Sequence, residues 1–295
     1  MMISRSTFLH LRIPFSFFLL PVFLFALSLS TDIECQAAWL AFFIIHFLLY
    51  PASNGYNSYF DKDEGSIGGL KNPPQVKKQL YYTSLIMDSA ALVLGLLISI
   101  EFSFMLLIYG LVSKAYSHPS IRLKKYPFIS FFIAGFFQGF FTFVMTSMAL
   151  NNMGFNVFTM QTVLIPALLS SMLLWGSYPM TQVYQHSEDS KRGDRTLSIL
   201  LGIKGTFLFT AVVFSITNAC FIIFYLNNFN LRSAIVFQLF LLPVLTFFIR
   251  WSLKVIKDET NADFTNTMRL NFITAACMNS FFLLFKLLQN GLPWV

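Results

Sequence analysis

Charge is scarce in this chain. Asp, Glu, Lys and Arg together supply 11% of its 295 residues, where soluble domains carry close to a quarter. A soluble fold of this length is therefore excluded. Cysteine is scarcer still: Cys35, Cys220 and Cys277 are scattered, with no C-x-x-C or Cys/His spacing. That argues against structural zinc and against a disulfide framework, and leaves the three as small apolar fillers. No polar stretch is long enough for a second, soluble domain, so residues 1–295 read as one membrane domain. What fills the chain instead is apolar bulk, 56% of all residues and 37 Phe.

The opening residues, with Arg5 and Arg12 ahead of an apolar run to Leu29, resemble a signal peptide. The run is long for that role, however, and Thr31-Asp32-Ile33-Glu34-Cys35 offers neither a small-x-small cleavage site nor a good lipid-attachment motif. It reads as a first span. Roughly 20 apolar residues cross a bilayer core, and the runs between polar breaks predict about nine helices, near 12–30, 36–56, 80–100, 102–117, 127–149, 158–184, 205–227, 233–253 and 268–289. Only Glu101 separates the third from the fourth. The fold class expected is all-α and polytopic.

Alternating the loops across the bilayer puts every Lys and Arg except Arg232 and Lys286 on one side. The positive-inside rule assigns that side, and the N-terminus with it, to the cytoplasm. The net charge of +7 is thus a topology signal and gives no reason to expect nucleic acid as a partner. Acidic residues do little to set orientation, yet most share this face: Asp61, Asp63, Glu64, Glu188, Asp189, Asp194, Asp258, Glu259 and Asp263. For the last three, loop solvation suffices.

Two of these segments close the second and sixth spans. In the first, Asn57 and Asp61 share a helix face at i, i+4, Asp63 and Glu64 follow, and Gly65, Gly68 and Gly69 end the helix. In the second, Gln182, Gln185 and Asp189 fall on one face, with Tyr178 a turn earlier. Four spans apart, the two helices are parallel, so both carboxylate ends emerge together. Opposed oxygen-rich helix ends suit Mg²⁺, a hard cation that commonly binds one or two carboxylates plus substrate phosphates. A third segment on the same face, Lys114-Ala115-Tyr116-Ser117 through Arg122-Leu123-Lys124-Lys125, carries the bases that bind phosphate.

Asn57-x-x-x-Asp61 after span two, Asp189-x-x-x-Gly193-x-Arg195-Thr196 after span six, and Tyr116-Ser117…Arg122-Leu123-Lys124 between spans four and five resemble the motifs of the UbiA-type intramembrane prenyltransferases. The first is closest to menaquinone-type members, in which Gly65 also has a counterpart. The resemblance implies a helical bundle around a central cavity. It further implies Mg²⁺-dependent transfer of a prenyl group from a polyprenyl diphosphate to a lipophilic, commonly aromatic, acceptor in the bilayer. By the same resemblance Asn57, Asp61, Asp63, Glu64, Gln185, Glu188 and Asp189 are the candidate metal ligands. Arg122, Lys124, Lys114 and Arg192 are candidates for the phosphate oxygens. Tyr116 is a substrate contact, and Tyr56, Tyr59 or Tyr184 would face an allylic cation. Asp61, Asp189, Arg122 and Lys124 are expected to carry the chemistry, with His186 or Asp63 taking the acceptor's proton. Gln185 departs from the family pattern, which has Asp there. A non-catalytic prenyl-lipid binding or scaffold protein is the alternative. A transporter fits less well, because it would hold its site near the midplane on broken helices.

Overall fold

In the computed structural model, residues 3–291 are described. They form a helical bundle, and the one backbone bridge among them, Ile67 to Leu70, is isolated. A short helix α1 (Arg5–Leu11) and a 3₁₀ turn (Ile13–Phe18) precede α2 (Leu20–Leu29), bent from them by 41°. Then come α3 (Cys35–Asp61), α4 (Gln79–Gly95), α5 (Ile100–Ser117), α6 (Pro127–Leu150) and α7 (Gln161–Gln182). The short α8 (His186–Arg192) leads into α9 (Leu197–Asn228), α10 (Leu231–Lys257) and α11 (Phe264–Gly291).

Apolarity on all sides drives a helix into the interior of a bundle, and α2 is the case in point. Val22, Phe23, Leu24, Phe25 and Ala26 are all buried. Phe25 stacks on Phe282 of α11, with ring centres 4.7 Å apart, and meets Phe143 of α6 edge-on at 5.3 Å. Phe221, Tyr225, Phe237 and Phe281 extend this aromatic core through α9, α10 and α11. Many Phe residues are thus core, where each ring removes a large apolar area from its surroundings.

Each of the nine expected spans has a helical counterpart, but only six helices are long and apolar enough to cross a bilayer, or seven with the bent first pair. The shortfall is α4 and α5. With 17 residues, α4 rises only about 25 Å against a hydrocarbon core of about 30 Å. Polarity adds to this: Asp88 of α4 and Lys114 of α5 pair with each other inside the bundle. Buried ionisable groups that face a partner helix are the usual arrangement in a membrane.

Two spans contain a π turn, Ile44–Leu49 in α3 and Phe136–Phe141 in α6. The second is held from outside. Ser171 of α7 donates its hydroxyl to the Gly135 carbonyl at 2.9 Å and accepts from the Phe140 amide at 2.8 Å. Gly139 lies so close that a Cβ there would stand 2.5 Å from Ser171 Cα. Only glycine permits this approach.

Candidate functional site

Three helix ends supply the charged groups. The first is the C-terminus of α3, which runs unbroken to Asp61, so Asn57 and Asp61 project one turn apart toward the same cavity. Lys62 then adopts the left-handed conformation (φ 51°) and donates its amide to the Ser58 carbonyl, closing the helix. Asp63 reaches the cavity from beyond this cap.

At the second end the chain is broken where one continuous helix is expected. α7 tightens into a 3₁₀ turn over Tyr178–Gln182, and α8 starts only after Gln185. Gln182, Gln185 and Asp189 therefore do not share a face of one helix, yet all three line the cavity. Gly193, at φ 75°, ends α8 and turns Asp194 back toward it. The third end is that of α5. Arg122, at φ 46°, and a single 3₁₀ turn over Leu123–Lys125 bring Lys124 onto Asp61.

The groups interlock. Arg122 grips Asp194 with two parallel bonds of 2.8 Å and stands 3.5 Å from Asp61. Arg192 contacts Asp63, binds Asp189 at 2.6 Å and lies 3.5 Å from Asp194, joining the first motif to the second. Four carboxylates thus meet three cations. Burial pushes the Asp189 carboxyl up to about 7, with the negative charges of Asp194 and Asp61 adding to it. For Asp194, burial acts upward too, but the Arg122 hydrogen bond and the charges of Lys124, Arg122 and Arg192 outweigh it and hold its pKa below the ordinary value. Arg122 is raised in turn, chiefly by its bond to Asp194.

Behind this cluster lies a cavity of about 310 Å³. Its polar wall includes Asn57, Asp61, Asp63, Tyr116, Lys124, Tyr184, Gln185, Asp189 and Arg192. Val22, Phe137, Leu173, Phe214 and Met278 give it apolar walls. The Tyr116 and Tyr178 hydroxyls touch each other at its side.

Other expected residues stand elsewhere. Lys114 turns to Asp88 and lies over the Tyr56 ring, 5.1 Å from its centre, instead of reaching the cavity. A buried carboxylate close by in the membrane outcompetes a more distant polar site. Glu64 is exposed, because the turn at Lys62 divides it from the α3 face. Glu188 lines a separate shallow depression with Gly65, Ser66, His186 and Asp263, and its nearest cation is Lys191 at 3.7 Å. Tyr56 and Tyr59 pack with Tyr81, away from the cavity. His186 bonds the Ser198 hydroxyl at 2.7 Å, which ties α8 to the start of α9 near its kink at Gly202.

Sequence reasoning passed over Arg12, Asp194 and the hydroxyl of Tyr178. Asp194 was visible as one more carboxylate on the charged face. Arg12 carried only an orientation signal.

Among the described residues, no three His, Cys, Asp or Glu side chains are set to hold a metal ion by themselves. The donor set nevertheless fits Mg²⁺ shared with a phosphate: it is all oxygen, from carboxylates and amides. Two features favour added positive charge. Asp189 is buried with a raised pKa, and Gln182 Oε1 is buried without a hydrogen-bond partner. The Gln185 amide Nε2 donates to the Ser66 carbonyl at 3.2 Å.

Carboxylates and cations thus stand together at one end of a cavity with apolar walls inside a bundle of long apolar helices. The model of the UbiA prenyltransferase family matches residues 16–273, and the chain belongs to that family. A UbiA homolog from Archaeoglobus fulgidus bound to DMAPP and Mg²⁺ is similar in fold, with a TM-score of 0.68 at 16% identity over 95% of this chain and 98% of that one. The same homolog bound to GPP and Mg²⁺ gives 0.64 at 14%, covering 95% and 99%. A digeranylgeranylglyceryl phosphate synthase structure gives 0.58 at 21%, covering 96% and 97%. No curated protein matches the chain by sequence.

Proposed function

We propose that this protein transfers a prenyl group from a polyprenyl diphosphate to a lipophilic acceptor, with an aromatic ring as the acceptor group. The observation that carries this reading is the convergence of three separate helix ends, two acidic and one basic, at one cavity with apolar walls. The solved relatives support it, since they bind prenyl diphosphates with Mg²⁺. The charge bias of the loops favours a cytoplasmic opening for the site.

Each residue then has work that follows from its position. Asn57, Asp61 and Asp189 would hold Mg²⁺, with Gln182 and Gln185 as amide donors from the second helix end. When bound, the metal supplies Lewis-acid stabilisation to the departing diphosphate. Lys124, Arg122 and Arg192 take the outer phosphate oxygens by exchanging part of their contacts with Asp61, Asp194 and Asp63. The carbon–oxygen bond to the diphosphate breaks and its electron pair leaves with that group. Tyr116 and Tyr184 shield the allylic cation with their rings. An electron pair of the acceptor closes the new bond, and Asp63, on the cavity wall, receives the proton the acceptor loses. Apolar walls keep water from the cation.

Gln185, an amide where the family pattern has a carboxylate, favours a second reading, that of a protein that binds prenyl diphosphates without turning them over. One assay separates the two. Membranes carrying the protein are incubated with labelled prenyl diphosphates of several lengths, with and without Mg²⁺ and a panel of aromatic acceptors. Mg²⁺-dependent diphosphate release with a prenylated product supports the transferase. Thermal stabilisation by the diphosphate with no release in any arm would rule it out in favour of the binding protein.

A further inference from the structure

The cavity has a floor. On α3 its wall runs inward from Asp61 to Ser53, on α5 from Ser117 to Tyr109, and on α11 from Leu270 to Met278. Each stretch spans eight positions, a depth of about 12 Å along a helix axis. Val22, Gln138 and Leu173 are the innermost lining residues of α2, α6 and α7, and among the described residues nothing farther in lines the cavity. One turn beyond, Tyr50 of α3 and Thr142 of α6 are buried, and the Tyr50 hydroxyl donates to that of Thr142 at 3.5 Å. Phe25, three residues past Val22, already belongs to the stacked aromatic core.

Two polar groups stand in this floor. Gln138 belongs to the π turn of α6, and the Tyr109 ring meets Phe137 and Phe141 of the same turn at 6.1 and 6.4 Å. Among the described residues neither the Gln138 amide nor the Tyr109 hydroxyl has a hydrogen-bond partner. π turns are frequent at functional sites, and the two bonds of Ser171 fix this one in place. A hydrocarbon chain pressed onto an uncommitted amide shuts it off from any partner and returns no bond, which is costly.

A diphosphate held by Lys124, Arg122 and Arg192 sits at the outer end of this space, and its tail enters along the apolar walls toward the floor. An isoprene unit is a zigzag of four carbon–carbon bonds of about 1.5 Å and reaches about 5 Å. Two units fill the depth, and a third meets Gln138. We infer that Gln138, with Tyr109 beside it, is the stop that sets the length of the donor, so that this protein takes a two-unit geranyl diphosphate in preference to farnesyl and longer chains. This rests on the prenyl-transfer reading above and names the donor within it. The limit is enforced twice. Packing beneath the floor leaves no room, and the polar groups in it penalise a chain that presses on them, a repulsive element against the wrong substrate.

The test measures thermal stabilisation of the purified full chain in lipid nanodiscs, with Mg²⁺, by geranyl, farnesyl and geranylgeranyl diphosphate. Concentrations are counted per lipid, so that the stronger partitioning of long chains into the bilayer drops out. Wild type is expected to be half-saturated by geranyl diphosphate at a concentration at least tenfold below that of either longer chain. Gln138→Ala deepens the floor and removes the amide. It is expected to bring farnesyl diphosphate within threefold of geranyl, while the geranyl value itself moves less than threefold. Gln138→Leu keeps the bulk and removes only the polarity, so it relaxes the preference by a smaller factor and covers the case in which the alanine variant fails to fold. Equal potency at all lengths in wild type, or potency that rises with length, overturns the inference. So does a preference that neither variant changes, and so does a tenfold loss of geranyl potency in Gln138→Ala, which would make Gln138 a binding contact and not a stop. If wild type responds to none of the three diphosphates, the prenyl-transfer reading falls, and that result is distinct from the others.

Discussion

The two acidic helix ends of this protein reach the same cavity by different means. α3 delivers Asn57 and Asp61 as neighbours on an unbroken helix, with a cap at Lys62 that fixes where the helix stops. α7 stops early, and Asp189 arrives on α8, a helix of 7 residues held by the ion pairs of Arg192 with Asp63 and Asp194 and by the His186–Ser198 bond. The first end is rigid because its backbone hydrogen bonds continue into a transmembrane span. The second is positioned mainly by side-chain electrostatics, so it depends on Arg192 in a way the first does not.

Removing the central carboxylate from either end tests whether both are needed. Asp61→Asn and Asp189→Asn are each expected to lower Mg²⁺-dependent diphosphate release about 100-fold or more, the size of effect that follows loss of one group stabilising a developing charge. Wild-type rates in both variants would refute the site. Arg192→Ala sharpens the contrast. It cuts the tie between Asp63 and Asp189 and leaves two buried carboxylates short of a partner, at a cost of about 3 kcal/mol in stability. Limited proteolysis should then show α8 cleaved well before the end of α3.

A pH series addresses α8 alone. With its carboxyl raised from 3.8 to about 7 by burial, Asp189 binds more protons in the folded than in the unfolded protein across that interval. Stability without divalent metal therefore falls as pH rises from about 4 to 7 and levels off above it. A melting series in a metal-free buffer should show the decline, and Asp189→Asn should flatten it. The smallest effect belongs to Glu188, outside the cavity. Glu188→Gln is expected to change diphosphate release less than twofold, and a loss of tenfold would return Glu188 to the metal site.

The same contrast decides what could be read from the sequence. The α3 end was partly legible: i, i+4 spacing describes the helix that carries Asn57 and Asp61, but the stop comes at a left-handed Lys62, before the glycines expected to end it. The break between Gln182 and Gln185 was not legible, since a 3₁₀ turn in this stretch leaves the residue pattern helical while turning its faces. Glu188 and Glu64 stand outside the cavity lining for a related reason. Charge on the right side of the membrane does not say which way a side chain turns after a cap. Lys114 pairs instead with Asp88 on the adjacent span, a counter-ion that charge counting by loops does not reveal. Arg12 went unseen because a positive charge beside an apolar run already had a sufficient explanation in topology.

The close approach of α6 and α7 at Gly139 and Ser171 carries a consequence for product yield. That seam backs the cavity wall formed by Ile133, Phe137, Leu173 and Leu174. A methyl group at Gly139 would wedge the two helices apart and admit water or lipid beside the reacting carbon. Fidelity, the fraction of ionised prenyl groups that reach the acceptor instead of ending as a free alcohol, would then be set by one missing side chain in the bilayer interior, far from any charged residue.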